Sequence, residues 1–283
     1  MNKKIFFPVL LLAATFTACS SDDDPSIDTS RKMTVEVSET PLVPEGDEAR
    51  QMDVTRTAAA TTTASLDEFT MNYMTSKYDF TKTGSEWTSN TWPNVPNDQK
   101  VDFYAYNAGT FNWSAEDPFL SYTVEEDAFS QKDVLIATAN TSYSDHGGKV
   151  PLTFKHACAA VKVNVFLSNT LQTKLGNSKL TVNSIVMRNV KKVSYYHYNS
   201  HSWTKENTLT FYTLTNGNFE VGTALVSLPC GYLFLIPQTL GEGAQFDVTY
   251  NTDKHAYIPL NGVIWEPGYE YTMNIKLTTS LIK

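Results

Sequence analysis

The stretch from Val150 to Leu167 constrains this chain more than any other. From Ala157 onward it alternates: Ala157, Ala159, Val161, Val163 and Val165 point one way, and Cys158, Ala160, Lys162 and Asn164 the other. A period of two describes a strand with one buried face. The small side chains from Ala157 to Ala160 leave room for another element to pack closely. The run far exceeds the usual strand of about 5–6 residues, so it is expected to bend or to serve two sheets. One β unit is expected before it and another after it.

The length, 283 residues, leaves room for about two domains. Tyr and Phe number 15 each and Thr is abundant, a composition that favours strands over helices. Only short pieces such as Thr170 to Gly176 read as helical. Strands are predicted at Met33–Val37, Gln51–Arg56, Leu66–Tyr73, Val101–Tyr106 and Asp133–Ala137 in the first half. In the second half they fall at Leu180–Val190, Lys192–Tyr198, Thr208–Leu214, Tyr232–Ile236, Ala244–Tyr250 and Tyr269–Leu277. Short strands separated by turn signals describe an all-β chain built as antiparallel sandwiches. Gly147-Gly148 is the natural divide. The expected organisation is a lipoprotein signal peptide at 1–18, a polar tether at 19–30, a first sandwich at 31–148 and a second at 149–283.

The N-terminus reads as an address. Lys3 and Lys4 precede the apolar core Ile5 to Ala14, which is too short to span a bilayer. Phe16-Thr17-Ala18-Cys19 then places small residues before a Cys, which resembles a bacterial lipobox; an ordinary signal peptide with a chance Cys is the alternative. Lipid on Cys19 would anchor the rest of the chain to a membrane without a spanning helix. The tract Ser20-Ser21-Asp22-Asp23-Asp24 is similar to the surface-export signal of Bacteroidetes lipoproteins, and also to a plain solvated spacer.

Formal charge is −8, and loss of Lys3 and Lys4 with the signal peptide takes it to −10. An acidic chain without a basic stripe argues against nucleic-acid partners and against charge-driven adhesion to anionic lipid. No nucleophile elbow, zinc-protease helix, phosphate loop or dinucleotide fingerprint is present, so neither an enzyme nor a cofactor is expected. His197 and His201 lie four apart. On a strand that separates them by roughly 13 Å, too far for one ion, and no metal site is expected. The acids Glu125-Glu126-Asp127 read as a solvated face rather than as carboxylates set across a cleft. Cys158 and Cys230 sit in apolar contexts that suit either a disulfide or plain packing. Tyr195, Tyr196 and Tyr198, with Trp203 nearby, are the candidate binding aromatics; the alternative is that alternate members face the core.

Several segments, in order, resemble the Bacteroidetes fimbrillin family, the lipoprotein pilins of the type V pilus and their Mfa-like relatives. They are Thr55-Arg56-Thr57-Ala58 with Leu66-Asp67-Glu68-Phe69, Val101 to Tyr106, Asp133 to Ala137, Val150 to Val165, Leu235-Ile236-Pro237-Gln238-Thr239 and Trp265 to Tyr271. The resemblance implies two transthyretin-like sandwiches in tandem and export as a palmitate-bearing outer-membrane lipoprotein. It also implies trimming by an Arg-specific protease and polymerisation by donor-strand exchange with other pilin subunits. Arg56 matches the cleavage position best and Arg50 is the alternative; both flank or precede the small-residue run Thr57 to Ser65. The removable strand would lie between Ser30 and Arg56, and the donor would come from Tyr269 to Lys283.

The expected role is therefore a surface fimbrial subunit or adhesin that contacts a host protein or glycan. The alternative is a surface glycan-binding lipoprotein that serves carbohydrate uptake.

Overall fold

The computed structural model describes residues 33–41, 43–44, 54–55, 66–206, 208–215 and 217–282. Strands dominate. In the first half they are β1 (Thr34–Glu39), β2 (Val43–Pro44), β3 (Val54–Thr55), β4 (Glu68–Tyr73), β5 (Ser76–Thr83), β6 (Glu86–Thr88), β7 (Val101–Tyr106), β8 (Thr110–Asn112), β9 (Phe119–Thr123) and β10 (Leu135–Thr141). β11 (Lys149–His156) and β12 (Ala159–Leu167) follow, then α1 (Asn169–Lys174), β13 (Leu180–Lys191), β14 (Val193–His197), β15 (Ser202–Lys205), β16 (Leu209–Thr213) and β17 (Phe219–Val221). The chain closes with β18 (Val226–Leu235), β19 (Gln238–Thr239), β20 (Gln245–Tyr250), β21 (Lys254–Pro259), β22 (Ile264–Trp265) and β23 (Tyr269–Leu277).

The long alternating run divides at Ala157-Cys158. β11 belongs to a seven-stranded sheet ordered β1-β11-β10-β7-β4-β5-β6, and β12 to a five-stranded sheet ordered β18-β12-β23-β2, with β3 also on β23. All four residues from Ala157 to Ala160 are buried, so the crossing between sheets is made of side chains small enough to be enclosed on every side.

Alternation sorts the seven-stranded sheet into two faces. Phe103 and Ala105 of β7, Leu135 and Ala137 of β10, and Val150, Leu152 and Phe154 of β11 point into one core with Phe69, Met71 and Phe80. Phe69 stacks on Phe80 with centroids 4.9 Å apart and meets Phe154 edge-on at 5.1 Å, and Trp87 and Trp92 close the cluster. The intervening residues Tyr104, Tyr106 and Ile136 face the other way, into a second core shared with a four-stranded sheet ordered β15-β14-β9-β8. Strands from both sides of Gly148 build that small sheet, because β14 pairs with β9 from Val193↔Thr123 to His197↔Phe119.

The second core continues into the C-terminal half. There the β18-β12-β23 sheet presents Val161, Val163, Val165, Met273 and Ile275 to a sheet ordered β16-β13-β20-β21, which answers with Ile185, Met187, Phe246 and Val248. Most ladders are antiparallel. The exceptions are β1 with β11, β12 with β23, and β2 with β23, which are parallel and join segments far apart in sequence.

This register separates neighbours sharply. Phe154→Ala should destabilise the protein by about 3–5 kcal/mol through loss of contacts and a residual cavity. Lys155→Ala, on the opposite face of the same strand, should stay within about 0.5 kcal/mol. Urea unfolding of both variants measures the difference.

Candidate assembly interface

The two outermost parallel ladders share one origin, the segment before residue 56. β1 lies along β11 from Thr34↔Lys149 to Glu39↔Phe154. Its ends are pinned by Thr34 N donating to Gly148 O at 2.7 Å and Thr40 N donating to Phe154 O at 2.8 Å. Met33 is fully buried in the first core, and Val35 and Val37 pack half-buried against it while Thr34, Glu36 and Ser38 face water. The sequence of β1 is thus apolar on alternate positions because one edge of the core has to be covered.

On its other side β11 is thinly held: only Leu135 and Ile136 of β10 register with it, opposite His156 and Lys155. Residues Lys149 to Phe154 therefore depend on β1 for their ladder. Pro151 has no N–H to donate, and it lies in the part of β11 where no β10 residue registers.

The same leader segment touches the second half. β2 pairs in parallel with Tyr269 and Glu270, and β3 pairs antiparallel with Asn274 and Ile275. β23 thus has β12 on one side and two short leader strands on the other. Arg50 falls in sequence between β2 and β3, and Arg56 directly follows β3. Arg50, Arg56, Cys19 and the Asp22–Asp24 tract lie outside the described residues.

The candidate aromatics split between two environments. Tyr196 and Tyr198 are buried between the small sheet and the seven-stranded sheet. Tyr198 meets Tyr104 edge-on at 5.1 Å and Tyr196 at 5.3 Å. Burial pushes the Tyr196 hydroxyl up to about 12 and the Tyr198 hydroxyl well above its ordinary value. Trp203 packs half-buried on Tyr196, and its indole N–H donates to the Ala157 carbonyl at 2.7 Å, tying the β14–β15 hairpin to the crossing between sheets. Tyr195 points to the opposite, outward face beside Phe119.

The remaining polar residues do not converge. His197 Nδ1 lies 2.7 Å from Asp117, while His201 Nδ1 is 3.3 Å from the Tyr196 hydroxyl. Among the described residues no cluster of three or more His, Cys, Asp or Glu is arranged to hold a metal. Cys158 and Cys230 are both free thiols. Cys158 is fully buried, and desolvation drives its thiol far up.

Asp133 and His156 form a hydrogen-bonded pair in which each side chain is 1% exposed. A substrate has no access to such a pair. It fastens the start of β10 to the end of β11, where Ala157 N also donates to Val134 O at 2.7 Å. Burial raises the Asp133 carboxyl above its ordinary 3.8, outweighing the opposing hydrogen bond from His156. A carboxyl raised in the folded state keeps its proton longer than in the unfolded chain. Its contribution to stability is greatest below about pH 4 and is lost as pH rises through the folded value. Asp133→Asn should therefore gain stability relative to the parent between pH 4 and pH 7; urea titrations at both pH values test the sign.

Comparison with known proteins places this architecture. The fimbrillin-like family matches residues 45–283. No curated protein matches significantly. Among solved structures, a candidate cell adhesion protein from Bacteroides uniformis shares 15% identity at a TM-score of 0.54, over 90% of this chain and 96% of its own. A fimbrial protein from Bacteroides vulgatus shares 13% identity at a TM-score of 0.52, over 89% of this chain and 96% of its own. A second candidate cell adhesion protein, from Bacteroides ovatus, shares 13% at 0.52, over 87% and 92%. At these identities the structural likeness is one of fold. The match across most of the sequence is one of family: this chain belongs to the fimbrillin-like family.

Proposed function

We propose that the protein is a surface fimbrial subunit or adhesin that assembles by protease-triggered strand exchange. The observation that carries this reading is the double attachment of the leader: β1 covers the edge of β11, and β2 and β3 cover the edge of β23. Loss of residues up to Arg56 would uncover both edges at once. The β11 edge would then expose Lys149 to Phe154 as an unpaired row beside Val150, Leu152 and Phe154, three side chains that are fully buried in the intact chain. An unpaired edge over apolar side chains is a template for another strand. A strand from a second subunit would restore the ladder, with main-chain hydrogen bonds giving affinity and alternate side chains giving register. Head-to-tail contacts of this kind do not close and so extend into filaments.

The donor proposed at Tyr269 to Lys283 begins in this state as an interior strand. Tyr271, Met273, Ile275 and Leu277 are all buried. Release of that strand would cost roughly 2–3 kcal/mol for each such side chain left in water. The cut that opens the acceptor would also strip β23 of the leader strands on one side, leaving β12 as its sheet neighbour. Acceptor and donor would thus be unlocked by one event, and assembly would wait for the protease.

Export as a lipoprotein with lipid on Cys19, followed by attachment to the outer membrane, completes the reading; the family membership and the lipobox-like sequence support it. Treatment of the purified chain with an Arg-specific protease should generate a new N-terminus at Thr57 or Gln51. A polymer ladder on gels should follow, absent from an Arg50→Ala, Arg56→Ala double variant. Palmitate labelling in cells should vanish in Cys19→Ala. Ladders formed without cleavage, or a trimmed protein that stays monomeric, would overturn strand exchange.

A further inference from the structure

The outward face of the four-stranded sheet carries a groove of about 720 Å³ beside β9 and β14, rimmed by the loop that bears Glu125, Ser130 and Lys132. That volume falls within the ~300–1,000 Å³ of small-ligand sites. Neither the leader nor the candidate donor strand contributes to its lining.

The groove is built rather than incidental. Thr110, Ser121 and Tyr195 stand in one row across β8, β9 and β14. Gly109 has φ +103°, and a Cβ there would come within 2.8 Å of the Ser121 carbonyl, so only glycine lets the turn into β8 lie this close to β9. Asn112 donates to Ser121 Oγ at 3.0 Å, which leaves the Ser121 proton to be given outward. The Tyr195 ring is fixed at both ends. Phe119 meets it edge-on at 5.6 Å, and its hydroxyl donates to Glu206. A ring already held in place loses little freedom when something stacks on it.

The geometry points to a neutral oligosaccharide as the ligand of this groove. A sugar ring presents hydroxyls at its rim and a C–H face in its plane. Ser121 and Thr123 offer hydroxyls, Glu125 an acceptor and Lys132 donors, while Tyr195 offers a flat apolar surface. One carboxylate and one ammonium leave the lining without net charge, and the chain as a whole carries −8, which disfavours anionic ligands. A purely apolar ligand would strand the hydroxyls without partners. This deepens the adhesin reading by naming what the subunit grips; its binding test is independent of whether the chain polymerises.

The full chain should be screened against a panel of neutral and acidic oligosaccharides in two arms, animal-type glycans and microbial or plant polysaccharide fragments. Hits are then titrated by saturation-transfer NMR. A neutral glycan should bind, and the responding arm identifies its source. Tyr195→Ala should weaken binding about tenfold, whereas Tyr195→Phe, which keeps the ring, should retain most of it. Glu125→Gln and Lys132→Ala on the exposed rim should each weaken it severalfold without altering thermal unfolding. Absence of binding in both arms, binding confined to acidic glycans, or binding unchanged in Tyr195→Ala would each overturn the assignment.

Discussion

The ladder between β1 and β11 is the contact on which the rest of this structure turns. It is main-chain pairing along an edge, from Thr34↔Lys149 to Glu39↔Phe154, supported by one fully buried side chain and two half-buried ones. Each hydrogen bond in such a ladder contributes only about 1 kcal/mol net, and the apolar burial beneath β1 is modest. β1 is therefore tethered by an amount that another strand of similar pattern could match. The same row of backbone groups would be costly if left bare, because it borders the Val150, Leu152 and Phe154 side of the first core. A weakly specific cover over a strongly demanding edge is the physical condition for exchange.

The crossing at Ala157-Cys158 couples that edge to the rest of the molecule. β11 and β12 are nearly continuous, yet they serve different sheets, and the passage between them is fastened by several neighbours. Trp203 donates to the Ala157 carbonyl, Gly268 N donates to the Cys158 carbonyl at 2.9 Å, and the Asp133–His156 pair holds the strand end. Gly268 lies at the entrance to β23 and His156 at the end of β11. The two strands whose edges the leader covers are thus anchored to one small-residue joint. In the proposed assembly, the segment that pairs with both strands would uncover both edges of this connected frame when it is lost.

Much of this architecture could be read from the residues. The period of two placed β7, β13, β14, β16, β20 and β23 close to their observed bounds, and the excessive length of the 150–167 run foretold its division between sheets. The short helix fell within a residue or two of expectation, with Ser168 capping it. What the sequence hid has more than one cause. β5 and β6 lie in a polar, turn-rich stretch that carries no alternation, because most of β5 and the ends of β6 face solvent. The parallel pairings of β1 and β23 join residues more than a hundred positions apart, and no local pattern encodes such partners.

The aromatic cluster shows the same limit at the scale of a site. Tyr195, Tyr196, Tyr198 and Trp203 lie close in sequence, but alternation sends Tyr196 to the core and Tyr195 outward, and only topology reveals what each meets. The groove beside Tyr195 draws Ser121 and Lys132 from the other half of the chain, which no spacing rule connects to β14. Assembly and ligand contact, on this account, use different parts of one scaffold: backbone edges for the first and an outward sheet face for the second. Amide hydrogen exchange before and after removal of the leader tests the central claim most directly. The account predicts that the amides of Val150, Leu152 and Phe154, which face β1, and of Asn274, which faces β3, lose protection together on trimming, and that the β11 residues regain it in the polymer. Protection at both edges that is unchanged by trimming would contradict it.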